Sequence, residues 1–201
     1  MKNNSAMFKL SYGLFVLSAK EGDKSNGCIV NTVQQVTTTP NRITVAVNKA
    51  NFTHDMIVNT GEFNVSILSE EVTFDTFKHF GFQSGRDVNK MDGLENYEIA
   101  ENGIFYLTKG ANAYLTAKVV QTVDLGTHTL FLADVTDGDV LSNVESVTYA
   151  YYHKNIKPQP QETKKTGWRC KICGYIYEGE ELPEDFICPI CKHGASDFEK
   201  I

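Results

Sequence analysis

Four of the chain's five cysteines sit in two close pairs near its C-terminal end, Cys170-x2-Cys173 and Cys188-x2-Cys191, with fourteen residues between the pairs. Each pair can form a chelating turn, and four thiolates can enclose one tetrahedral ion, for which sulfur ligation selects zinc or iron. A segment of about 35 residues is too small to fold on apolar burial alone, so bound metal must supply much of its stability. A disulfide framework would spread its bridges through a secreted domain, whereas here Cys28 stands apart and the other four crowd together. Spacing alone leaves zinc and iron equally open.

The remainder reads as an ordinary globular chain. Its 201 residues are 41% hydrophobic and 11% aromatic, enough for one domain with a real core and a small appendage. A net charge of −6 argues against a general affinity for nucleic acid or anionic membrane. No apolar run approaches the ~18 residues of a membrane span. The short run Leu14–Ala19 follows Lys9, Ser11 and Tyr12 and is expected to be a first strand of a cytoplasmic protein rather than a secretory signal. The Asn-x-Ser/Thr matches at Asn51 and Asn64 then carry no weight as glycosylation sites.

From Phe8 to about Tyr152 short strands dominate. Tyr12–Ala19 and Cys28–Thr37 flank the turn-rich EGDKSNG, a hairpin signal. Arg42–Asn48 alternates apolar and polar residues as a half-buried strand should. Thr53–Thr60 is expected to be a helix with Thr53 as N-cap and Gly61 at its end. Phe63–Leu68 reads as a strand. Glu71–Phe80 sets Val72, Phe74, Phe77 and Phe80 on one helical face. Strands at Phe105–Thr108, Ala113–Asp124 and Thr129–Asp137 follow, and Tyr151, Tyr152 and His153 are expected to end the last strand. This is a mainly β chain, expected to close as an antiparallel barrel with peripheral helices. Ile156–Thr166 (IKPQPQETKKT) reads as a linker whose ends would lie about 18 Å apart if flexible. The expected division is 1–155, linker 156–166, and a metal-binding module at 167–201.

Within that module, Gly174 and Lys192-His193-Gly194 follow the two pairs and can turn backbone N–H groups toward sulfur, tuning a reduction potential. Trp168, Tyr175, Tyr177, Phe186 and Phe198 can wrap the site in apolar surface. CxxCGYIY, then Pro183 with Glu184-Asp185, then Phe186, CPxC and a distal Phe, resembles rubredoxin, with a loop as short as in the module that ends rubrerythrins. The resemblance implies one iron ion held by Cys170, Cys173, Cys188 and Cys191, exchanging single electrons. His193 is expected on the surface, since four sulfurs fill the site. Glu178, Glu180, Glu181, Glu184 and Asp185 read as a solvated face or as a docking surface for a basic redox partner.

The longer part has no GxGxxG after a strand and no GxxxxGK[ST], so neither a dinucleotide fold nor a P-loop is indicated. YGLFVLSAKEGDKSNGCIVNTVQQVT, RITVAVNKANFTHDMI, EFNVSIL and GFQSGRDVNKM, in this order, resemble the flavin reductase-like, FMN-binding split-barrel family. That resemblance implies FMN, and a homodimer with the flavin near the subunit interface. Asn26, Gly27, Cys28, Asn31 and Thr32 are the expected contacts beside the ring. Asn48, Lys49, Thr53 and His54 are expected where a strand ends and a helix begins, a setting that favours phosphate. Ser84, Gly85, Arg86, Asp87 and Lys90 offer a turn with two cations for phosphate or reduced flavin. Plainer readings exist for each: Asn26-Gly27 as a turn, Thr53 as a cap, His54 as a surface residue, Arg86-Asp87 as an exposed ion pair, and Cys28 as a packed side chain.

Together these modules resemble high-molecular-weight rubredoxins. The implied function is a relay from NADH or NADPH, or from a separate reductase, through FMN to the iron and on to a flavodiiron-type protein that reduces oxygen or nitric oxide. No side chain is expected to act as acid, base or nucleophile, because cofactors carry such chemistry. Two other classes compete: a flavin reductase supplying reduced flavin to a monooxygenase, and a zinc-ribbon binding protein.

Overall fold

The computed structural model describes Ala6, residues 9–158 and residues 167–201. The chain divides into two compact units, one ending at Lys157 and the other starting at Pro158. Of the expected linker, Gln159–Thr166 lies outside the described residues.

The first unit is built on one antiparallel sheet. Its strands are β1 (Phe15–Glu21), β2 (Lys24–Val30), β3 (Gln34–Thr38), β4 (Asn41–Asn48), β5 (Glu62–Leu68), β8 (Ala111–Asp124) and β9 (His128–Val140). They lie in the order β2-β1-β5-β8-β9-β4-β3. The outermost strands of that order, β2 and β3, are consecutive in the chain, joined only by Asn31–Val33. A flat seven-stranded sheet would hold its edges about 29 Å apart at ~4.8 Å per strand, yet the connector reaches at most about 14 Å. The sheet must therefore roll into a barrel, and no β2–β3 ladder closes it among the described residues. Register shifts in β8 between Thr116 and Ala117 and between Val119 and Gln121 supply the local bend.

Strand β1 is covered on both faces. Leu17 faces a barrel interior formed with Val45, Val47, Phe63, Val65 and Phe131. Val16 faces an outer cluster with Leu68, Phe77, Phe80 and Phe105. Helix α1 (Phe52–Thr60) packs on β1 and β2, and α2 (Phe74–Gly81) packs on β2. A two-stranded piece, β6 (Tyr97–Ile99) with β7 (Phe105–Leu107), is fastened to the barrel by side chains. Ser18 Oγ donates to the Phe105 carbonyl at 2.6 Å, and Asn64 Nδ2 to that of Ile104 at 2.8 Å.

Several expectations need correction. Cys28–Thr37 is not one strand. It breaks at Asn31–Val33, where the Thr32 hydroxyl donates to the Ala46 carbonyl (2.7 Å) and accepts from the Ala46 N–H (3.2 Å), replacing ladder bonds. Thr53 is not the cap of α1. The helix starts at Phe52 after Asn51, and the Thr53 hydroxyl serves another partner. Helix α2 starts at Phe74, not Glu71. Tyr151, Tyr152 and His153 do not end a strand. They belong to a helical turn, α3 (Tyr149–Tyr151), capped by the Thr148 hydroxyl and continued as a π-turn over Tyr152–Ile156.

The second unit holds three short strands, β10 (Trp168–Cys170), β11 (Ile176–Tyr177) and β12 (Phe198–Lys200), in the order β11-β10-β12. Its core is Cys170, Cys188 and Phe198, flanked by Trp168, Tyr175, Tyr177 and Phe186.

Candidate functional site

The two cysteine pairs form matching turns. Gly174 N–H donates to the Cys170 carbonyl at 2.9 Å, and Cys170 N–H to the Tyr175 carbonyl at 2.8 Å. In the second turn Lys192 N–H donates to the Cys188 carbonyl at 3.0 Å, and Cys188 N–H to the His193 carbonyl at 2.8 Å. Gly174 and Lys192 occupy equivalent left-handed positions, with φ of 81° and 61°. Glycine adopts that conformation freely, whereas lysine does so at a cost.

These turns bring all four sulfurs within 4.8 Å of one another, with Cys170–Cys191 and Cys173–Cys188 both at 3.5 Å. A tetrahedral ion with bonds of about 2.3 Å to sulfur requires sulfur separations near ~3.8 Å, so the donor set fits one metal ion. Burial pushes the Cys173 thiol up to about 11 and the Cys191 thiol higher still. A cation among the four sulfurs reverses that cost by stabilising the thiolates. Backbone N–H groups of Tyr175 and His193 face the sulfurs of Cys173 and Cys191, and those of Ile190 and Cys191 face Cys188. At Cys188 burial raises the thiol, but these donors together with hydrogen bonds from the Cys191 and Cys173 side chains lower it overall. Cys170 and Cys188 are buried, while Cys173 and Cys191 are partly exposed, so the site reaches solvent on one side. His193 is exposed and sets Nδ1 3.0 Å from the Cys191 carbonyl, outside the donor set.

On the barrel, most of the expected cofactor residues converge where β2, α1 and the loop after α2 meet. Asn26, 3% exposed, donates from Nδ2 to Thr53 Oγ1 at 2.8 Å. Gly85 lies directly against its amide, since a Cβ there would fall 2.2 Å from Asn26 Oδ1. Cys28 is buried on β2, and burial pushes its thiol up against an opposing hydrogen bond with Thr53. His54 is held at both ring nitrogens, Nδ1 3.0 Å from Asp55 Oδ1 and Nε2 2.9 Å from Thr129 Oγ1. Asp55 Oδ2 accepts from Arg86 at 2.6 Å, and the guanidinium stands over the Phe52 ring, 5.3 Å from its centroid. Hydrogen bonds with His54 and then Arg86 hold the Asp55 carboxyl below its ordinary value. Ser84 Oγ accepts from the Arg86 N–H at 3.1 Å, and Asp87 follows in the same turn.

An open groove of about 650 Å³ runs past this cluster, lined by Lys24, Phe52, Gly85, Arg86, Asp87 and Met91 among others. No side chain caps the start of α1; the His54 N–H donates to the Asn51 carbonyl at 3.1 Å, and the first-turn N–H groups before it meet no Asn51 side chain, a setting that favours an anion. A phosphate group beside Arg86 fits that arrangement, and the aromatic and aliphatic wall suits a planar ring.

Asn31, Thr32, Asn48 and Lys49 form a second group at the far end of β4. Asn31 is half-buried in the β2–β3 connector. Thr32 is occupied with Ala46, Asn48 Oδ1 accepts from the Ala50 N–H (2.9 Å), and Lys49 pairs with Asp124 at 2.8 Å. The Asn51 N–H donates to the Asn48 carbonyl at 3.0 Å, which ties this group to the start of α1. Lys90 is turned inward, to the carbonyls of Gly27 and Phe80. Asp55 and Phe52 were not foreseen, although an acid one residue after His54 in a helix's first turn was a readable signal.

The flavin reductase like domain family matches residues 7–159, and the rubrerythrin, rubredoxin-like domain family matches residues 168–199. The chain belongs to the flavin reductase-like family and carries a rubredoxin-like domain at its C-terminal end. It is 39% identical to the high molecular weight rubredoxin of Moorella thermoacetica over 229 aligned positions, which cover 99% of this chain and 100% of the relative. A ferric-chelate reductase (NAD(P)H) of Archaeoglobus fulgidus is 40% identical over 79% of this chain and 93% of its own length. Among solved structures, the Streptomyces globisporus NADH:FAD oxidoreductase SgcE6 shares the fold, with a TM-score of 0.63 at 21% identity over 71% of this chain and 84% of its own.

Proposed function

We propose that this chain is an NAD(P)H-dependent oxidoreductase that takes electrons from NADH or NADPH through bound FMN to a single iron ion, and on to a flavodiiron-type protein. The observation that carries the reading is the pairing, in one chain, of a phosphate-ready helix start beside Arg86 with a four-thiolate site rich in N–H donors. A flavin supplies the exchange between a hydride pair and single electrons, and a four-thiolate iron supplies one-electron exchange without ligand change. The chain's own residues bind and orient. The uncapped α1 start and Arg86 meet the phosphate, while Asn26, Gly27 and Asn31 meet the ring edge, and Cys28, packed in the barrel core, and Thr32, bonded to Ala46, hold the chain beneath it. Asn48, Lys49, Thr53 and His54 frame the site.

One cluster of N–H donors and one guanidinium suit a single phosphate, which favours FMN over FAD. Iron over zinc is supported by the N–H donors aimed at sulfur and by the aromatic wrap, both of which tune a redox centre. A homodimer is supported by the outer half of β8, where Val120 and Val123, with Leu125 beyond, are exposed. No helix among the described residues is long and apolar enough to cross a membrane. Free thiols held for metal suit the reducing cytoplasm. The reductase relative aligns over 158 positions, about the length of the barrel domain, which favours a second reading in which the barrel also serves small soluble acceptors.

Replacing Cys173 and Cys191 together by serine tests the relay. NADH should still reduce the flavin, while electron delivery to a one-electron protein acceptor should fall at least about tenfold. Equal delivery by both proteins would mean that electrons leave from the flavin directly.

A further inference from the structure

Lys90 carries a charge deep in the barrel unit. It is 3% exposed, and no carboxylate pairs with its ammonium among the described residues. Two backbone carbonyls hold it instead, those of Gly27 on β2 and Phe80 in the last turn of α2, both at 2.9 Å. The Phe80 carbonyl is one of the helix-terminal acceptors that no helical N–H can reach, so the lysine caps α2 from outside. A second tie runs the other way: His79 Nε2 lies 2.7 Å from the carbonyl of Lys90 itself. The loop 82–89 is thus closed at its base by both the side chain and the backbone of one residue. Ser84, Gly85, Arg86 and Asp87 ride on that loop, with Gly85 seated on the Asn26 amide and Arg86 on Asp55.

Burying an ammonium without a counter-ion is costly, and an apolar side chain of the same length would fill the space more cheaply. What the apolar side chain could not do is satisfy two buried carbonyls on different elements at once. The closed loop base buries that donor for a geometric return: the distance between the loop's cation and β2 is fixed before any ligand arrives.

We infer that Lys90 is a positioning residue for the flavin site, acting through the closed loop base rather than as a phosphate ligand; this rests on the flavin reading given above. Burial pushes its ammonium below its ordinary value, consistent with a group walled off from solvent.

The test uses the full chain, wild type and Lys90→Met, with FMN as the probe. Trypsin cleavage after Arg86, followed by fragment mass in flavin-free protein, reads the loop. FMN fluorescence titration and visible circular dichroism of bound FMN read the site. Lys90→Met should speed cleavage at Arg86 at least about tenfold, weaken FMN binding by a similar factor and alter the flavin dichroism. Lys90→Arg, which keeps donors and charge, should restore much of the affinity. His79→Ala cuts the second tie without removing the buried ammonium, and should shift both readouts the same way by about threefold should Lys90→Met fail to fold. Unchanged cleavage would overturn the latch. Faster cleavage with unchanged FMN affinity would overturn the positioning role. Failure of the wild-type chain to bind FMN at all would overturn the flavin reading instead.

Discussion

Stripping the metal from the four-cysteine module is expected to unfold residues 167–201 and leave the barrel standing. The module's strands are three, two and three residues long, and its buried core is Cys170, Cys188 and Phe198. Two of those three core residues belong to the four-sulfur set that fits a metal ion, so losing the ion would leave little to hold the chain together. Structural four-ligand sites contribute on the order of 10 kcal/mol, far above what this apolar core supplies. The chain's single tryptophan, Trp168, lies in the module, with its indole N–H on the Glu180 carbonyl and Lys200 over its ring. Under a chelator, Trp168 emission should shift to that of exposed indole while the thermal transition of the barrel stays in place. Metal analysis of the untreated protein should return one iron per chain. Unshifted Trp168 emission after complete metal removal would show that packing alone folds the module.

The second large effect is expected at Asn26. Its amide lies between Thr53 of α1 and Gly85 of the loop after α2, so one buried side chain links three elements. Asn26→Ala leaves the Thr53 hydroxyl without that donor and opens a gap beneath Gly85. Losing a buried hydrogen bond and its packing costs about 1–3 kcal/mol. All three elements border the groove, so FMN affinity should fall at least about tenfold, read by flavin fluorescence alongside thermal unfolding. Wild-type affinity in a folded Asn26→Ala protein would move the flavin site elsewhere.

The four-cysteine cluster was legible because it is local. Each Cys-x2-Cys turn is built by its own neighbours, and Gly174 advertises the left-handed turn, although Lys192 takes the same conformation without any such letter. Strand β4 was legible from its alternation, which places Ile43, Val45 and Val47 inside. What escaped depends on partners remote in sequence. The break after β2 has no glycine or proline to mark it, and follows from the Thr32 side chain bonding Ala46 on the neighbouring strand β4. Thr53 looks like a cap until Asn26 claims its hydroxyl. The lysine of GRDVNK reads as a second cation for phosphate or reduced flavin, and only the fold turns Lys90 onto the carbonyls of Gly27 and Phe80. Likewise, Gly85 reads as turn flexibility, while the structure gives it a steric reason, the Asn26 amide at its back.

The relay itself is tested most directly by anaerobic titration of the purified, oxidised protein with NADH, following flavin and ferric-thiolate absorption together. FMN takes two electrons and the iron one, so full bleaching of both should require about 1.5 equivalents of NADH per chain. Flavin that bleaches after about one equivalent while the iron stays ferric would contradict the account.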